Sequence, residues 1–301
     1  MRIIPGEFPT AQFHAFLLGA VAPRPICFAS TIDKDGNPNL SPFSFFNVFG
    51  SNPATLIFSP ARRVRDNTTK HTLENIRATG EVVINAVSYE MVQQMNLSSC
   101  EYPTGTNEFV KVGFTQVKSE MVKPFRVGES PASFECRVKD IIETGMEGGA
   151  GNLIICELVC MHLSDSVLDE AGQIDPHKID LVARMGGDYY CRASGPAVFT
   201  VPKPARELGI GVDALPAHIR NSHVLTGNHL GLLGNSTSVP IVEVPEDDDR
   251  LVQILREYET DESARQHALH QYAAELLNDE NVTHAWSVLL AGGEEGKDLM
   301  G

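Results

Sequence analysis

Pro23-Arg24-Pro25-Ile26-Cys27-Phe28-Ala29-Ser30-Thr31, then Asp33-Lys34-Asp35-Gly36-Asn37-Pro38, then Asn39-Leu40-Ser41-Pro42-Phe43-Ser44-Phe45-Phe46 form the stretch on which the fold turns. Arg24 to Thr31 reads as a strand. The Asp- and Gly-bearing segment after it is a turn of the kind that joins antiparallel strands. Leu40 to Phe49 reads as the return strand, interrupted by Pro42. Proline donates no N–H to a ladder, so Pro42 belongs at a sheet edge. Two readings of Asn39, Ser41 and Ser44 stay open. They are ordinary polar edge residues, or they flank free backbone groups that meet the polar rim of a flat ring against a phenylalanine wall.

Working outward, Ala54 to Ser59 and Val82 to Val87 read as strands. Thr72 to Thr79 reads as a helix stopped by Gly80, with Thr72 as its N-cap. Residues 10–20 form a short helix with Thr10 as N-cap, and Tyr89 to Asn96 another. Ser133–Glu143 and Leu153–Leu163 are long strands, and the glycine-rich Gly145–Gly151 between them is a hairpin tip rather than a phosphate loop, because it opens no helix. Short strands at near-even spacing with few helices point to a barrel. After about Pro204 the composition changes. Residues 205–245 show little periodicity. Residues 247–277 read as helix, with stripes Leu251, Ile254, Leu255, Tyr258 and Leu269, Tyr272, Leu276. Asn281 to Leu290 is a last helix holding Trp286, and Glu294 to Gly301 reads as frayed. The expected domains are 1–204 and 205–301.

Arg62 to Thr72 carries four basic residues and three threonines in a chain whose formal net charge is −15. It runs directly into a helix start, where orphan N–H groups and the dipole favour an anion. A solvated loop with a normal cap is the alternative. Rossmann and Walker patterns are absent. Acidity makes nucleic acid an unsuitable partner.

Taken in order, Pro23–Ile26, Ser30-Thr31, Asp33–Phe46, Phe58-Ser59-Pro60, Lys70–Ile76, Thr79–Asn85, Asn107-Glu108-Phe109 and Phe134–Val138 resemble the flavin reductase family, which includes the flavoredoxins. The resemblance covers roughly residues 15–195. It implies a mainly β fold with peripheral helices: an FMN-binding split β-barrel, here with a C-terminal helical extension. It also implies FMN as cofactor, a nicotinamide or other small redox partner, and a homodimer. By that resemblance Arg24 and Pro25 sit beside the flavin, Ser30 and Thr31 lie along it, and Asn39, Leu40, Ser41, Pro42, Phe43 and Ser44 meet its ring. Ser59 begins the ribityl and phosphate contacts. Lys70, Thr72 and Asn75 match the phosphate signature, except that His71 replaces its Asp. The basic insert leaves open which of Arg62, Arg63 or Arg65 joins them. Arg184–Tyr190 either closes over the flavin or is a packed turn. The activity expected is electron transfer from reduced nicotinamide to flavin or another acceptor. A non-enzymatic electron carrier or sensor is the alternative.

Other chemistry is unsupported. The ten histidines form no metal pattern, and His267 and His270 read as solvent-facing. No GxSxG elbow is present. Asp247-Asp248-Asp249 reads as a solvated helix start. The six cysteines read as reduced thiols; Cys156 and Cys160 on one strand would share a face about 13 Å apart, too far for a disulfide. No apolar run reaches the roughly 20 residues of a membrane span, and the N-terminus lacks a signal-peptide pattern. A cytoplasmic protein is expected.

Overall fold

The computed structural model describes residues 1–201, 208–241 and 248–291. The chain divides into two compact units, Met1–Phe199 and Thr200–Gly301. The sequence boundary at 204 and the tail from Glu294 lie outside the described residues.

The first unit is built on seven antiparallel strands: β1 (Cys27–Ile32), β2 (Pro38–Phe43), β3 (Phe46–Ser51), β4 (Ala54–Phe58), β5 (Glu81–Asn85), β6 (Ala132–Glu143) and β7 (Asn152–Leu163). Their spatial order is β2-β1-β5-β6-β7-β4-β3. The two edge strands, β2 and β3, are therefore consecutive in the chain and joined by Ser44 and Phe45 alone. Three Cα steps reach at most about 11 Å. The sheet must roll until its two edges nearly meet, which makes a barrel split at Ser44-Phe45. The hydrogen bond from Ser59 N to Phe45 O, at 2.8 Å, holds that crossing.

The stretch Leu40–Phe49 is two strands on opposite edges, and the break falls at Ser44-Phe45, not at Pro42. Pro42 lies within β2, opposite Phe28, on the edge where its missing N–H costs no ladder bond. Likewise Arg24–Pro25 leaves the main sheet and pairs with Val182–Arg184, which in turn pairs with Tyr190–Arg192.

All six residues of β1 are buried. Cys27 and Ala29 face the barrel core with Phe43, Phe58, Leu73, Ile76, Val82, Ile84 and Ile154. Phe28 faces the other way, into a second cluster with Leu40, Met91, Met95, Phe109 and Phe114. Full burial of each Val, Leu, Ile, Phe or Met side chain among them contributes about 1.5–3 kcal/mol. Of the helices, α1 is Thr10–Ala20, α2 is His71–Thr79, α3 is Val92–Leu97 and α4 is Glu108–Val112. Leu73 and Ile76 of α2 belong to the barrel cluster, and Met95, Phe109 and Val112 of α3 and α4 to the outer one. Gly80, at φ 70°, ends α2 in the left-handed region that glycine enters without strain.

Neither threonine cap forms. Pro9 precedes α1 and Lys70 precedes α2, each without a side-chain cap bond, and Thr10 and Thr72 lie inside their helices. The shared-face expectation for Cys156 and Cys160 also fails. A bulge between Leu158 and Cys160 shifts the register, so Cys156 stays in the core while Cys160 pairs with Glu135 on the outer face.

In the second unit, α5 (Gly227–Gly234), α6 (Asp249–Glu257), α7 (Glu262–Asn278) and α8 (Val282–Leu290) pack around Trp286, Leu251, Leu269 and Leu277. The weakly periodic 205–245 region thus hides a helix, α5, closed by a Thr226–His229 capping box. The 247–277 segment is two helices, not one. Asp248 is buried: it caps α6 and accepts bonds from Tyr272 Oη at 3.1 Å and His284 Nε2 at 2.7 Å. Asp247 lies outside the described residues. His270 is buried too, bonded to Ser222 Oγ at 2.8 Å, and burial holds its pKa down at about 4.

Candidate functional site

Two clefts lie along the outer side of β2. The first is lined by Asn39, Ser41, Arg63, Lys70, His71, Thr72, the Ser98–Tyr102 loop and Glu108. The second, of about 230 Å³, is lined by Pro42, Phe43, Ser44, Asn96, Ser99, Arg184 and Tyr190, among others. Ser99 borders both, so the two clefts are neighbours, and together they make up the two ends of the groove beside β2.

The first end is organised by a buried polar network. Glu108 is 4% exposed, and its carboxylate accepts from Asn39 Nδ2 at 3.0 Å and from Leu40 N at 3.1 Å. Thr72 Oγ1 donates to Asn39 Oδ1 at 2.9 Å. Burial raises the Glu108 pKa, and these donors offset it in part. The network fastens β2 to the starts of α2 and α4. Above it stands Lys70. Its ammonium has no carboxylate within ion-pair range among the described residues, and burial with the adjacent Arg63 holds its pKa below the usual lysine value. The arginines differ. Arg63 and Arg65 share Glu101, at 2.9 and 3.0 Å, and Arg65 also pairs with Asp66. Arg62 binds Asn67. Arg62 and Lys70 thus have no carboxylate partner among the described residues; Arg62 is tied down by Asn67, whereas Lys70 stands in the cleft beside a helix start that no side chain caps.

The second end is organised by main chain. Leu40 N points outward to Glu108. By the two-residue period of a strand, Pro42 turns its main-chain groups the same way, and Ser44 follows in the bend just beyond it. Pro42 brings a carbonyl and no N–H there. Tyr190 and Arg184 form the facing wall, with the Arg184 guanidinium 4.6 Å from the Tyr190 ring centre.

The structure therefore brings together Asn39, Ser41, Lys70 and Thr72 at one end and Pro42, Phe43 and Ser44 at the other. It does not bring the rest of the expected residues to the groove walls. Arg24 is 5% exposed and its guanidinium donates to Leu18 O, Val21 O and Met185 O, at 2.5, 2.6 and 2.9 Å. It is a clamp between three segments. Ser30 and Thr31 are fully buried; Thr31 accepts from Asn75 Nδ2 at 3.1 Å, and Ser30 Oγ has no partner. Leu40 is a core side chain. Ser59 Oγ accepts from Asn152 N, at the start of the neighbouring strand β7, at 3.0 Å. Pro25 and Arg65 are exposed. His71, by contrast, opens α2, lines the first cleft and meets Thr104 Oγ1 at 3.1 Å.

Sequence reasoning missed Glu108, Asn96 and the Ser98–Tyr102 loop. Glu108 sits in the quoted Asn-Glu-Phe motif, which was the available signal; the loop residues carry none. The donor set fits a phosphate-bearing planar cofactor. One end has a free cation and uncapped N–H groups, and the other has an apolar wall rimmed by main-chain groups.

A family model described as flavin reductase like domain matches residues 19–179. An Aquifex aeolicus protein described as uncharacterized is 37% identical over 195 residues, covering 65% of this chain and 97% of its own. The structure of nitrilotriacetate monooxygenase component B from Bacillus cereus superposes with a TM-score of 0.60 at 25% identity, over 64% of this chain and 95% of that one. A Shewanella frigidimarina structure described as a putative flavin reductase with split barrel domain gives 0.57 at 25% identity, over 67% and 99%.

Proposed function

Because the chain belongs to the flavin reductase like domain family, we propose that it binds FMN in the groove beside β2. In this reading it is an oxidoreductase that passes electrons from a reduced nicotinamide to flavin or another small-molecule acceptor. The observation that carries the reading is the groove's two-ended chemistry: an unpaired Lys70 ammonium at the uncapped start of α2, and a proline-bearing edge strand opposite Tyr190. FMN, when bound, supplies the redox chemistry.

The chain's own residues bind and orient. Lys70 and the first N–H groups of α2 hold the phosphate. Glu108 and Thr72 fix Asn39, so that end is rigid before a ligand arrives. The main chain of Pro42 and Ser44 meets the polar rim of the ring. Tyr190 and Arg184 shield the opposite side from water. No side chain is required as acid or base.

The reading includes a homodimer. Val48 and Phe49 on edge strand β3 are 62% and 64% exposed, a large apolar exposure beside the barrel split. A monomer by light scattering at micromolar concentration would remove that part.

The test is the absorbance of the purified chain followed by anaerobic stopped-flow mixing. Flavin uptake with bleaching by NADH or NADPH is the expected result. Uptake without bleaching by either nicotinamide favours a carrier or sensor. No uptake of FMN overturns the proposal.

A further inference from the structure

Outside the lining of the groove, three different ligand types converge on the outer face of the barrel. Glu135 on β6 and Cys160 and His162 on β7 place a carboxylate oxygen, a thiol sulfur and an imidazole nitrogen within 4.8 Å of one another. Among the described residues this is the one such cluster. The bulge between Leu158 and Cys160 creates it. In a strand without the bulge, Cys160 and His162 would continue the inward face of Cys156 and Leu158. With it, Cys160 lies directly opposite Glu135, and His162, two residues on, shares its face.

The cluster is preorganised from outside. Glu135 is 0% exposed, and its carboxylate accepts from the backbone N–H groups of Glu120, Met121 and Val122, at 2.8, 2.6 and 3.1 Å. The strap holding those residues roofs the site. His162 Nε2 lies 2.6 Å from Glu135 Oε1 and 3.5 Å from Cys160 Sγ, and its Nδ1 is 3.9 Å from the exposed Glu120 carboxylate. Ligand atoms about 2.0–2.3 Å from a tetrahedral ion stand roughly 3.3–3.6 Å apart. The Cys160–His162 spacing already meets this; the His162–Glu135 pair has to open by under an ångström.

We propose that Glu135, Cys160 and His162 bind a borderline-soft divalent cation of the zinc type, with water in the fourth position. Imidazole with thiolate selects such an ion over magnesium or calcium. On binding, Cys160 gives its proton to solvent and His162 turns the Nε2 lone pair to the ion. The imidazole proton then sits on Nδ1, where Glu120 accepts it as the outer partner that fixes the ring. Burial and the Glu135 and Glu120 carboxylates hold the free thiol protonated, a field that a divalent charge reverses. The ion ties the strap to the sheet.

The test is Co²⁺ titration of the chelator-treated full chain, read as difference spectra so that any flavin contribution cancels. One equivalent should give a near-ultraviolet thiolate-to-cobalt band and tetrahedral visible bands. Zn²⁺ should displace Co²⁺ and raise the melting temperature. Cys160→Ser should abolish the thiolate band. His162→Gln should weaken binding by at least the roughly 10–100-fold that loss of an outer partner costs. Cys191→Ser should change neither. Absence of a saturable thiolate band, or its survival in Cys160→Ser, overturns the proposal. Should Cys160→Ser not fold, an unchanged cobalt affinity in His162→Gln overturns it instead.

Discussion

The two ends of the groove solve the same problem by opposite means. The Lys70 end uses side chains: a buried carboxylate, an amide and a hydroxyl locked together, with one cation left unpaired above them. The Pro42–Ser44 end uses main chain that the barrel split leaves free of ladder partners. The first kind of site is specific for charge and depends on individual residues. The second is specific for shape and tolerates side-chain change. The comparison also separates residues that touch the groove from residues, such as Arg24 and Ser59, that hold its frame.

Substitutions break or sharpen that contrast. The largest effect is expected from Arg24→Met, which takes the donor from three part-buried carbonyls, those of Leu18, Val21 and Met185, and removes a buried side chain. It should destabilise the fold by about 3–5 kcal/mol in urea titration. Unchanged stability with lost flavin would make Arg24 a ligand after all. Next, Lys70→Ala should weaken FMN binding roughly 10- to 150-fold, the worth of a charge-assisted contact, and leave riboflavin binding unaltered in fluorescence titrations. Equal loss for both ligands would abolish the distinction between the ends.

Glu108→Ala should cost about 1–2 kcal/mol, by leaving Asn39 Nδ2 and Leu40 N unpaired. It should also change the pH response of the ligand-free protein. The folded pKa of Glu108 is raised by burial. Its contribution is therefore full below the ordinary carboxylate pKa and is lost as pH rises through the folded value. That falling phase of the urea midpoint should vanish in the variant; its persistence would assign it to another group. The smallest effect belongs to Arg65→Ala. Exposed and already paired with Asp66 and Glu101, it should shift FMN affinity by no more than about two-fold.

Much of this was legible in the chain. Pro42 marked an edge because a missing N–H is a local fact. Gly80 marked a helix end, and the long strands 133–143 and 153–163 fell within a residue of their observed starts, because β-periodicity is local too. What escaped had a non-local cause. Thr72 has the chemistry of a cap, but Asn39, 33 residues away, takes its hydroxyl. Asp248 looks solvated among neighbouring aspartates, yet Tyr272 and His284 fold over it. Cys160 and His162 look like scattered singletons until a bulge aligns them with Glu135.

By itself, then, the sequence determined the strands, the turns, the family and the residues that could carry charge. Periodicity and covalent chemistry are written residue by residue. Only the tertiary structure decided that Leu40–Phe49 supplies both edges of one barrel, and that Lys70, rather than Arg63 or Arg65, is left without a counter-charge within ion-pair range. Which edge meets which, and which charge finds a partner, depends on sheet closure and on Glu101 arriving from a loop more than thirty residues downstream.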